Sequence, residues 1–147
     1  MTIKPISIFV ILAASKLIAE YAAECSIPTI GPTNPQHELY GKLEKSGALK
    51  CFGAFEGDEL VGFGNVLVYV LPHYGKTIAT VESLFVAESH RHLSTGKSLM
   101  ISIESYAHGT GCAGILYSAP AGGKLEQLLD TKPEYQRTNA VFFRGLL

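Results

Sequence analysis

Apolar and polar residues follow two different periods along this chain of 147 residues. Between residues 77 and 86 the chain is rich in Ile, Val, Thr and Phe, which is typical of a β-strand. Between residues 96 and 108 the apolar residues recur at helical spacing and form one stripe: Leu99, Met100, Ile103, Tyr106 and Ala107. The pattern predicts a strand that leads through a polar loop into an amphipathic helix, which Gly109 and Gly111 end.

The rest of the chain repeats these two patterns. Strands are predicted at residues 6–10, 49–55, 60–71, 113–117 and 140–146, and helices at 13–24, 35–47 and 123–129. Asn34 is expected to cap the second of these helices, with Pro35 at its first position and Gly47 at its end. Gly57 and Asp58 predict a hairpin turn between the second and third strands. The chain is therefore expected to be a mixed helix and strand protein.

One acidic residue, Glu82, interrupts the strand at residues 77–86. Alternation places it on the face of the strand that holds Ile78, Thr80, Leu84 and Val86; the other face holds Ala79, Val81, Ser83 and Phe85. A carboxylate among such neighbours either finds a partner or is disfavoured as an anion.

The loop after this strand is basic and enters a helix. His90, Arg91, His92 and Lys97 supply positive charge, and Ser94 or Thr95 can cap the helix. The N–H groups and the dipole of a helix N-terminus favour phosphate groups, so the loop is a candidate diphosphate site. A solvated loop remains the alternative at this stage. The phosphate-binding patterns GxxxxGK[ST] and GxGxxG are both absent from the chain.

The loop segment Arg91-His92-Leu93-Ser94-Thr95-Gly96 resembles the central motif of the GNAT superfamily of acyl-CoA-dependent N-acetyltransferases, [RQ]-x-x-G-x-[GA]. The first and last positions agree, and the middle glycine is replaced by Ser94. If that position requires a positive φ, serine is strained there. The order of predicted elements is similar to that of the family along nearly the whole chain.

The resemblance implies an α/β (α+β) fold with a mixed, mostly antiparallel central sheet flanked by about four helices. It also implies acetyl-CoA (coenzyme A) as the co-substrate. The amides from Arg91 to Lys97 would hold the diphosphate, and Ser118 would contact the cofactor. Leu84 and Val86 would pair with the pantetheine arm, and the amide near Phe85 would polarise the acetyl carbonyl.

The family resemblance further implies direct transfer of an acetyl group to a primary amine, on a small molecule or a protein. Glu82 matches the position of the general base in many members. Tyr117 is the nearest substitute for the tyrosine that protonates the leaving thiolate in many members, and water is the alternative. A catalytically degenerate acyl-CoA sensor, a protein-interaction module and acyl transfer to a hydroxyl remain open.

Composition limits the remaining classes of function. Residues 1–147 are expected to form a single domain, and the low charged content of 17% suggests a homodimer. The net charge of −1 and the lack of a basic cluster argue against nucleic-acid binding. The three cysteines indicate neither a disulfide framework nor a metal site, so the cytoplasm is the expected compartment. We expect neither a signal peptide nor a membrane span.

Overall fold

The computed structural model describes residues 1–146, apart from the side chain of Leu93. Five strands form one sheet in chain order: β1 Thr2–Ile6, β2 Leu49–Glu56, β3 Glu59–Leu71, β4 Lys76–Val86 and β5 Ile115–Tyr117. Neighbouring strands are antiparallel, except that β5 is parallel to β4. The helices are α1 Ile8–Ala13, α2 Ser15–Cys25, α3 His37–Lys45, α4 Thr95–Gly109 and α5 Lys124–Asp130. The predicted fold class is confirmed.

Helix α4 packs against one face of the sheet through the apolar stripe predicted from the sequence. Leu99 and Ile103 are fully buried, in a cluster with sheet residues such as Val66 and Val81. Gly64 on β3 allows the close approach, because a Cβ atom there would lie 2.5 Å from Cδ1 of Ile103. The glycine therefore brings α4, and the loop before it, close to the middle of the sheet.

Helices α1, α2 and α3 cover the opposite face. Ile8, Ile11 and Leu17 of the first two helices are buried there in one cluster with Phe63 and Phe85 of the sheet. The sheet thus separates two apolar cores, one under α4 and one under the three N-terminal helices. Side chains of β4 on this face, such as Phe85, therefore pack in the same cluster as side chains of α2 and α3.

The first predicted strand is wrong in position. Strand β1 ends at Ile6, and residues 8–10 lie in α1 instead. Ser7 caps this helix, since its Oγ accepts a hydrogen bond from the N–H of Phe9 at 3.3 Å. The helix predicted over residues 13–24 corresponds to α2, which begins at Ser15 because the ψ angle of 68° at Ala14 is not helical.

Two further predictions differ from the structure, and one is confirmed. Helix α3 begins at His37 with Gln36 as its N-cap, so Asn34 and Pro35 precede the helix. The described residues after β5 contain no strand, so the strand predicted at 140–146 is not formed. The hairpin between β2 and β3 turns at Gly57 as predicted, with a φ of 59°.

Candidate active site

Strand β4 continues beyond the end of its neighbour β5. The parallel pairing of the two strands stops at Val81 and Tyr117, whereas β4 runs on to Val86. On its other side β4 remains paired with β3 as far as Val86. The last five residues of β4 therefore form an edge that no strand of the described chain covers.

Backbone direction decides which residues of β4 face this open edge. A Cβ atom on Gly62 of β3 would lie 3.0 Å from the carbonyl oxygen of Phe85, so that oxygen faces β3. The N–H of Ala87 also faces β3 and donates to the carbonyl of Val61 at 2.9 Å. Since alternate residues of a strand direct their backbone groups to opposite sides, Leu84 and Val86 face the opening. The polarising amide was expected near Phe85, whose backbone instead faces β3.

A β-bulge lies at the start of the open edge. Asn65 of β3 pairs with Ser83, and the next residue of β3, Val66, pairs with Val81, so Glu82 is the extra residue of β4. The bulge changes the strand alternation that the sequence predicted. Ala79 and Val81 pack on the α4 side together with Leu84 and Val86, and the predicted faces are wrong on this point.

The Glu82 carboxylate, which is exposed, is held by two hydroxyl groups. Tyr40 of α3 donates a hydrogen bond to Oε1 at 3.0 Å, and Ser83 donates to Oε2 at 2.9 Å. Burial, followed by the charge of Glu82, raises the pKa of Tyr21 to about 12. Burial, followed by the charge of Glu82 and the hydrogen bond to it, raises the pKa of Tyr40 as well. Both phenols are therefore neutral at physiological pH, and Tyr40 serves as a hydrogen-bond donor to Glu82.

Cys51 of β2 lies on the same side of the sheet and is fully buried. Burial, followed by the charges of Glu44 and Glu82, raises the pKa of its thiol to about 12. A neutral, inaccessible thiol is a small core side chain and cannot act as a nucleophile. Cys25 and Cys112 are half-buried, and all three thiols are free.

The N-terminus of α4 follows the open edge after a 3-10 helix at Glu88–Leu93. Ser94 is the N-cap and has a φ of 58°, the left-handed region that the glycine of the family motif tolerates more easily. The first helical hydrogen bond runs from the N–H of Ser98 to the carbonyl of Ser94 at 3.0 Å. The N–H groups of Thr95, Gly96 and Lys97 precede that bond and point toward the helix entrance.

Space around this helix start suits a ligand that approaches the backbone. A Cβ atom on Gly96 would meet only Cγ2 of Val86, at 3.9 Å. His92 and Lys97 are exposed beside it, and Thr95 is buried, where its hydroxyl donates to the carbonyl of His90 at 3.2 Å. The Leu93 side chain, which belongs to the predicted cradle, lies outside the described part of the chain.

Two of the four basic side chains of the loop already have acidic partners. The Arg91 guanidinium donates to both oxygens of Glu24 at 2.7 and 2.8 Å, and its Nε donates to the carbonyl of Val86 at 2.9 Å. His90 is 2.7 Å from a carboxylate oxygen of Glu56. From the sequence alone, these basic side chains were candidates to bind the diphosphate. In the structure, the Arg91 side chain instead connects the loop to Glu24 of α2.

The strain at Ser94 can be measured. We expect Ser94→Gly to raise the free energy of unfolding by up to about 1 kcal/mol, because relief of the left-handed conformation exceeds the added chain entropy. We expect Ser94→Val to lower it by more than that, since a β-branched residue fits this φ worst. Urea unfolding of both variants tests the sign. Equal stability of the two variants would show that position 94 is not strained.

Tyr117, the predicted acid, lies at the end of β5 where the opening begins. Its hydroxyl donates to Oε1 of Glu104 at 2.8 Å, and Tyr135 donates to the same oxygen at 2.6 Å. Burial, followed by the hydrogen bond and the charge of Glu104, raises the pKa of Tyr117 well above its ordinary value. Its proton is therefore tightly held. Ser118 follows directly and is exposed.

The sequence did not reveal that Tyr40 and Asn65 lie near Glu82, or that the Ser83 hydroxyl reaches its carboxylate. Their proximity depends on the bulge and on the packing of α3 over β4.

No helix in the described chain is long and apolar enough to span a membrane. Among residues 1–146, no three His, Cys, Asp or Glu side chains are grouped as metal ligands.

Similar folds occur among solved acetyltransferases. The aminoglycoside acetyltransferase meta-AAC0020 from an uncultured soil metagenomic sample, in complex with trehalose, aligns with a TM-score of 0.78 and 19% identity, covering 99% of this chain and 96% of that one. Ribosomal-protein-alanine N-acetyltransferase from Brucella melitensis biovar Abortus 2308 aligns with a TM-score of 0.73 and 18% identity, covering 100% of both chains. The aminoglycoside N-acetyltransferase AAC(6')-Iy in complex with CoA gives a TM-score of 0.70 and 16% identity, covering 97% of both chains.

At these identities the solved structures establish the fold. No curated protein matches the chain in a direct sequence comparison. The sequence profile of the Acetyltransferase (GNAT) family matches residues 16–122, which include β4, the loop after it and α4. The chain therefore belongs to the GNAT acetyltransferase family and is an acyltransferase.

Proposed function

We propose that residues 1–147 form one domain that transfers an acetyl group from acetyl-CoA to a primary amine on a small molecule or a protein. The observation that carries this proposal is the uncovered edge of β4, which runs from the bulged Glu82 to the N-terminus of α4. An extended thiol arm can add to that edge as a strand does, while its diphosphate reaches the helix start.

The residues fit this co-substrate in two places. Leu84 and the N–H of Val86 face the opening, whereas the Val86 carbonyl already accepts a hydrogen bond from Arg91. The amides of Thr95, Gly96 and Lys97 stand at the positive end of the α4 dipole. The thioester supplies an activated acetyl group when it is bound. Arg91 belongs to the cradle through its backbone, because its side chain is held by Glu24 and Val86.

Glu82 acts as the general base in this proposal. An amine with a pKa near 10.4 is only about 0.1% neutral or less at pH 7, and an ammonium group has no lone pair with which to attack. Glu82 accepts the proton, directly or through water, as the amine forms the new C–N bond. The C–S bond then breaks, and the thiolate takes up a proton. The N–H of Leu84 faces the opening and is the candidate that polarises the acetyl carbonyl.

Two sources remain for the proton that the thiolate receives. Tyr117 stands at the mouth of the opening but donates its proton to Glu104. Water is the alternative, because a thiolate is a good leaving group. Unchanged turnover by a Tyr117→Phe variant would assign this proton to water.

Calorimetry with acetyl-CoA, followed by an acetylation assay against a panel of amines, tests the proposed activity. The panel includes aminoglycosides and a peptide with N-terminal alanine, because two of the similar structures are an aminoglycoside acetyltransferase and a ribosomal-protein-alanine N-acetyltransferase. Binding with turnover supports the enzyme. Binding without turnover of any amine favours a sensor, and no binding favours a protein-interaction module. Mass spectrometry of the product detects transfer to a hydroxyl.

We also propose that the protein forms a homodimer and that it is located in the cytoplasm. The C-terminal segment at residues 140–146 supports the dimer, since Val141, Phe142 and Leu146 are 87%, 91% and 84% exposed. A second copy of this chain is the proposed cover for these side chains. Light scattering should give twice the monomer mass, and deletion of residues 140–147 should halve it.

The three free thiols are consistent with a reducing compartment such as the cytoplasm. Cell fractionation tests this location.

A further inference from the structure

Both carboxylate oxygens of Glu82 already accept a hydrogen bond. Tyr40 of α3 donates to Oε1 at 3.0 Å, and Ser83, the next residue of β4, donates to Oε2 at 2.9 Å. The proposed base therefore does not present a bare oxygen to the solvent. An amine that approaches Glu82 meets a hydroxyl group beside each oxygen.

The two hydroxyl groups differ in how far a substrate can reach them. Ser83 is 7% exposed, and its hydroxyl has Tyr21 of α2 as a second hydrogen-bonding partner. Tyr40 is half-buried, and its hydrogen bond to Glu82 lies at an exposed position. Among the described side chains, Glu82 is the one hydrogen-bonding partner of the Tyr40 hydroxyl. The Tyr40 oxygen therefore keeps an acceptor site for a substrate.

The phenol of Tyr40 has the properties that a proton relay needs. A tyrosine hydroxyl can accept one hydrogen bond while it donates another. Burial, followed by the charge of Glu82 and the hydrogen bond to it, raises the pKa of Tyr40, so the phenol keeps its proton until a second proton replaces it. The ring packs against the core cluster that contains Phe63 and Phe85, which holds the hydroxyl in place.

We propose that Tyr40 is a catalytic residue that accepts the amine proton and passes its own hydroxyl proton to Oε1 of Glu82. This inference rests on the proposed function, in which Glu82 is the base for the amine. The phenol takes the place of a water between the amine and the carboxylate. A side chain on α3 is in position before the substrate arrives, whereas a bridging water has to be ordered each time.

The relay moves two protons and leaves the phenol unchanged. As the amine nitrogen forms the C–N bond to the acetyl carbon, one N–H bond breaks and its proton becomes bound to the Tyr40 oxygen. The original O–H bond of Tyr40 breaks, and that proton becomes bound to Oε1 of Glu82. The C–S bond then breaks, and the thiolate takes up a proton from Tyr117 or from water. Glu82 is exposed and afterwards releases its proton to solvent.

Tyr40→Phe tests the relay, because it removes the hydroxyl and keeps the ring that packs on the core. We expect this variant to lower kcat by about tenfold to a hundredfold at pH 7, since proton transfer then relies on a less ordered water. The acetyl-CoA dissociation constant should be nearly unchanged. Fixed-time assays with an amine that the wild-type protein acetylates give kcat, and thermal unfolding checks the fold. Tyr40→Leu serves the same purpose if the phenylalanine variant does not fold.

Ser83→Ala is the matched control. It removes the other hydrogen bond to Glu82, from a hydroxyl that is buried away from the amine. If Tyr40 only oriented the Glu82 carboxylate, the two variants would lose similar turnover. The relay predicts that Tyr40→Phe loses about tenfold more turnover than Ser83→Ala. Equal losses of kcat overturn the proposal.

The Glu82→Gln background separates the relay from a structural role. The relay needs a carboxylate that can hold the proton, and an amide cannot do so. Tyr40→Phe should therefore cost no further turnover when Glu82→Gln is already present. A structural role for the hydroxyl predicts the same fold-loss of kcat in both backgrounds, and that result also overturns the proposal.

The same assays distinguish failure of the relay from failure of the proposed function. If the wild-type protein acetylates no amine, the proposed function fails and the relay fails with it. If amines are acetylated and Tyr40→Phe keeps full turnover, only the relay fails, and water carries the proton to Glu82.

Discussion

Glu82→Gln should lower kcat by about two to four orders of magnitude at pH 7 and leave the acetyl-CoA dissociation constant nearly unchanged. The amide keeps the size of the side chain and can still accept a hydrogen bond from Tyr40 or Ser83, but it cannot take a proton from the amine. Glu82 lies at the bulge, whereas the proposed diphosphate site lies at the start of α4. Fixed-time assays of product formation give kcat, and calorimetry gives the dissociation constant of acetyl-CoA.

Glu59→Gln is the matched control, because Glu59 is an exposed acid at the start of β3. It should retain wild-type turnover. A higher pH should partly restore the Glu82→Gln enzyme, since a larger fraction of the amine is then neutral without help. Full activity of Glu82→Gln at neutral pH would remove Glu82 from the mechanism and leave water as the base.

Gly96→Leu should raise the dissociation constant of acetyl-CoA by at least about tenfold, which corresponds to roughly 1.4 kcal/mol. The protein itself leaves room for a side chain, because a Cβ atom there meets only Val86, at 3.9 Å. The new side chain would instead occupy the space that the diphosphate needs beside the helix start. Stability should not fall, since glycine is a poor helix former by about 1 kcal/mol.

Gly109→Leu provides the comparison at the other end of α4, where a Cβ atom would meet nothing within 4 Å. This variant should gain similar helix propensity and bind acetyl-CoA as the wild type does. Equal affinity of the two variants would show that the diphosphate is held elsewhere. Thermal unfolding of both proteins checks that the fold is intact.

The sequence predicted the elements whose periodicity is strong. Strand β4, the loop after it and α4 were found within one or two residues, because Leu99 and Ile103 repeat at helical spacing and bury on the sheet. The motif also raised the case that position 94 has a positive φ, and Ser94 has a φ of 58°. Local patterns of this kind need no knowledge of distant residues.

The errors arose where tertiary contacts decide the local structure. An apolar run after Ile6 reads equally well as strand or helix, and the contact of Glu44 with the N–H of Ile8 favours the helix. The bulge at Glu82 has no signal in the alternation of β4, because it depends on the register with β3. The network around Glu82 could therefore not be predicted, since Tyr40 comes from a helix far away in sequence.

The contacts of Arg91 bear on why the first position of the motif admits either arginine or glutamine. Arginine Nε and the side-chain nitrogen of glutamine stand at the same distance along their side chains, so either can donate to the carbonyl of Val86, as Arg91 does at 2.9 Å. Only arginine extends further to Glu24. A relative with glutamine there would keep the hydrogen bond to the carbonyl at position 86 but could not form the ion pair with an acid at position 24. The residues at positions 24 and 91 should therefore vary together.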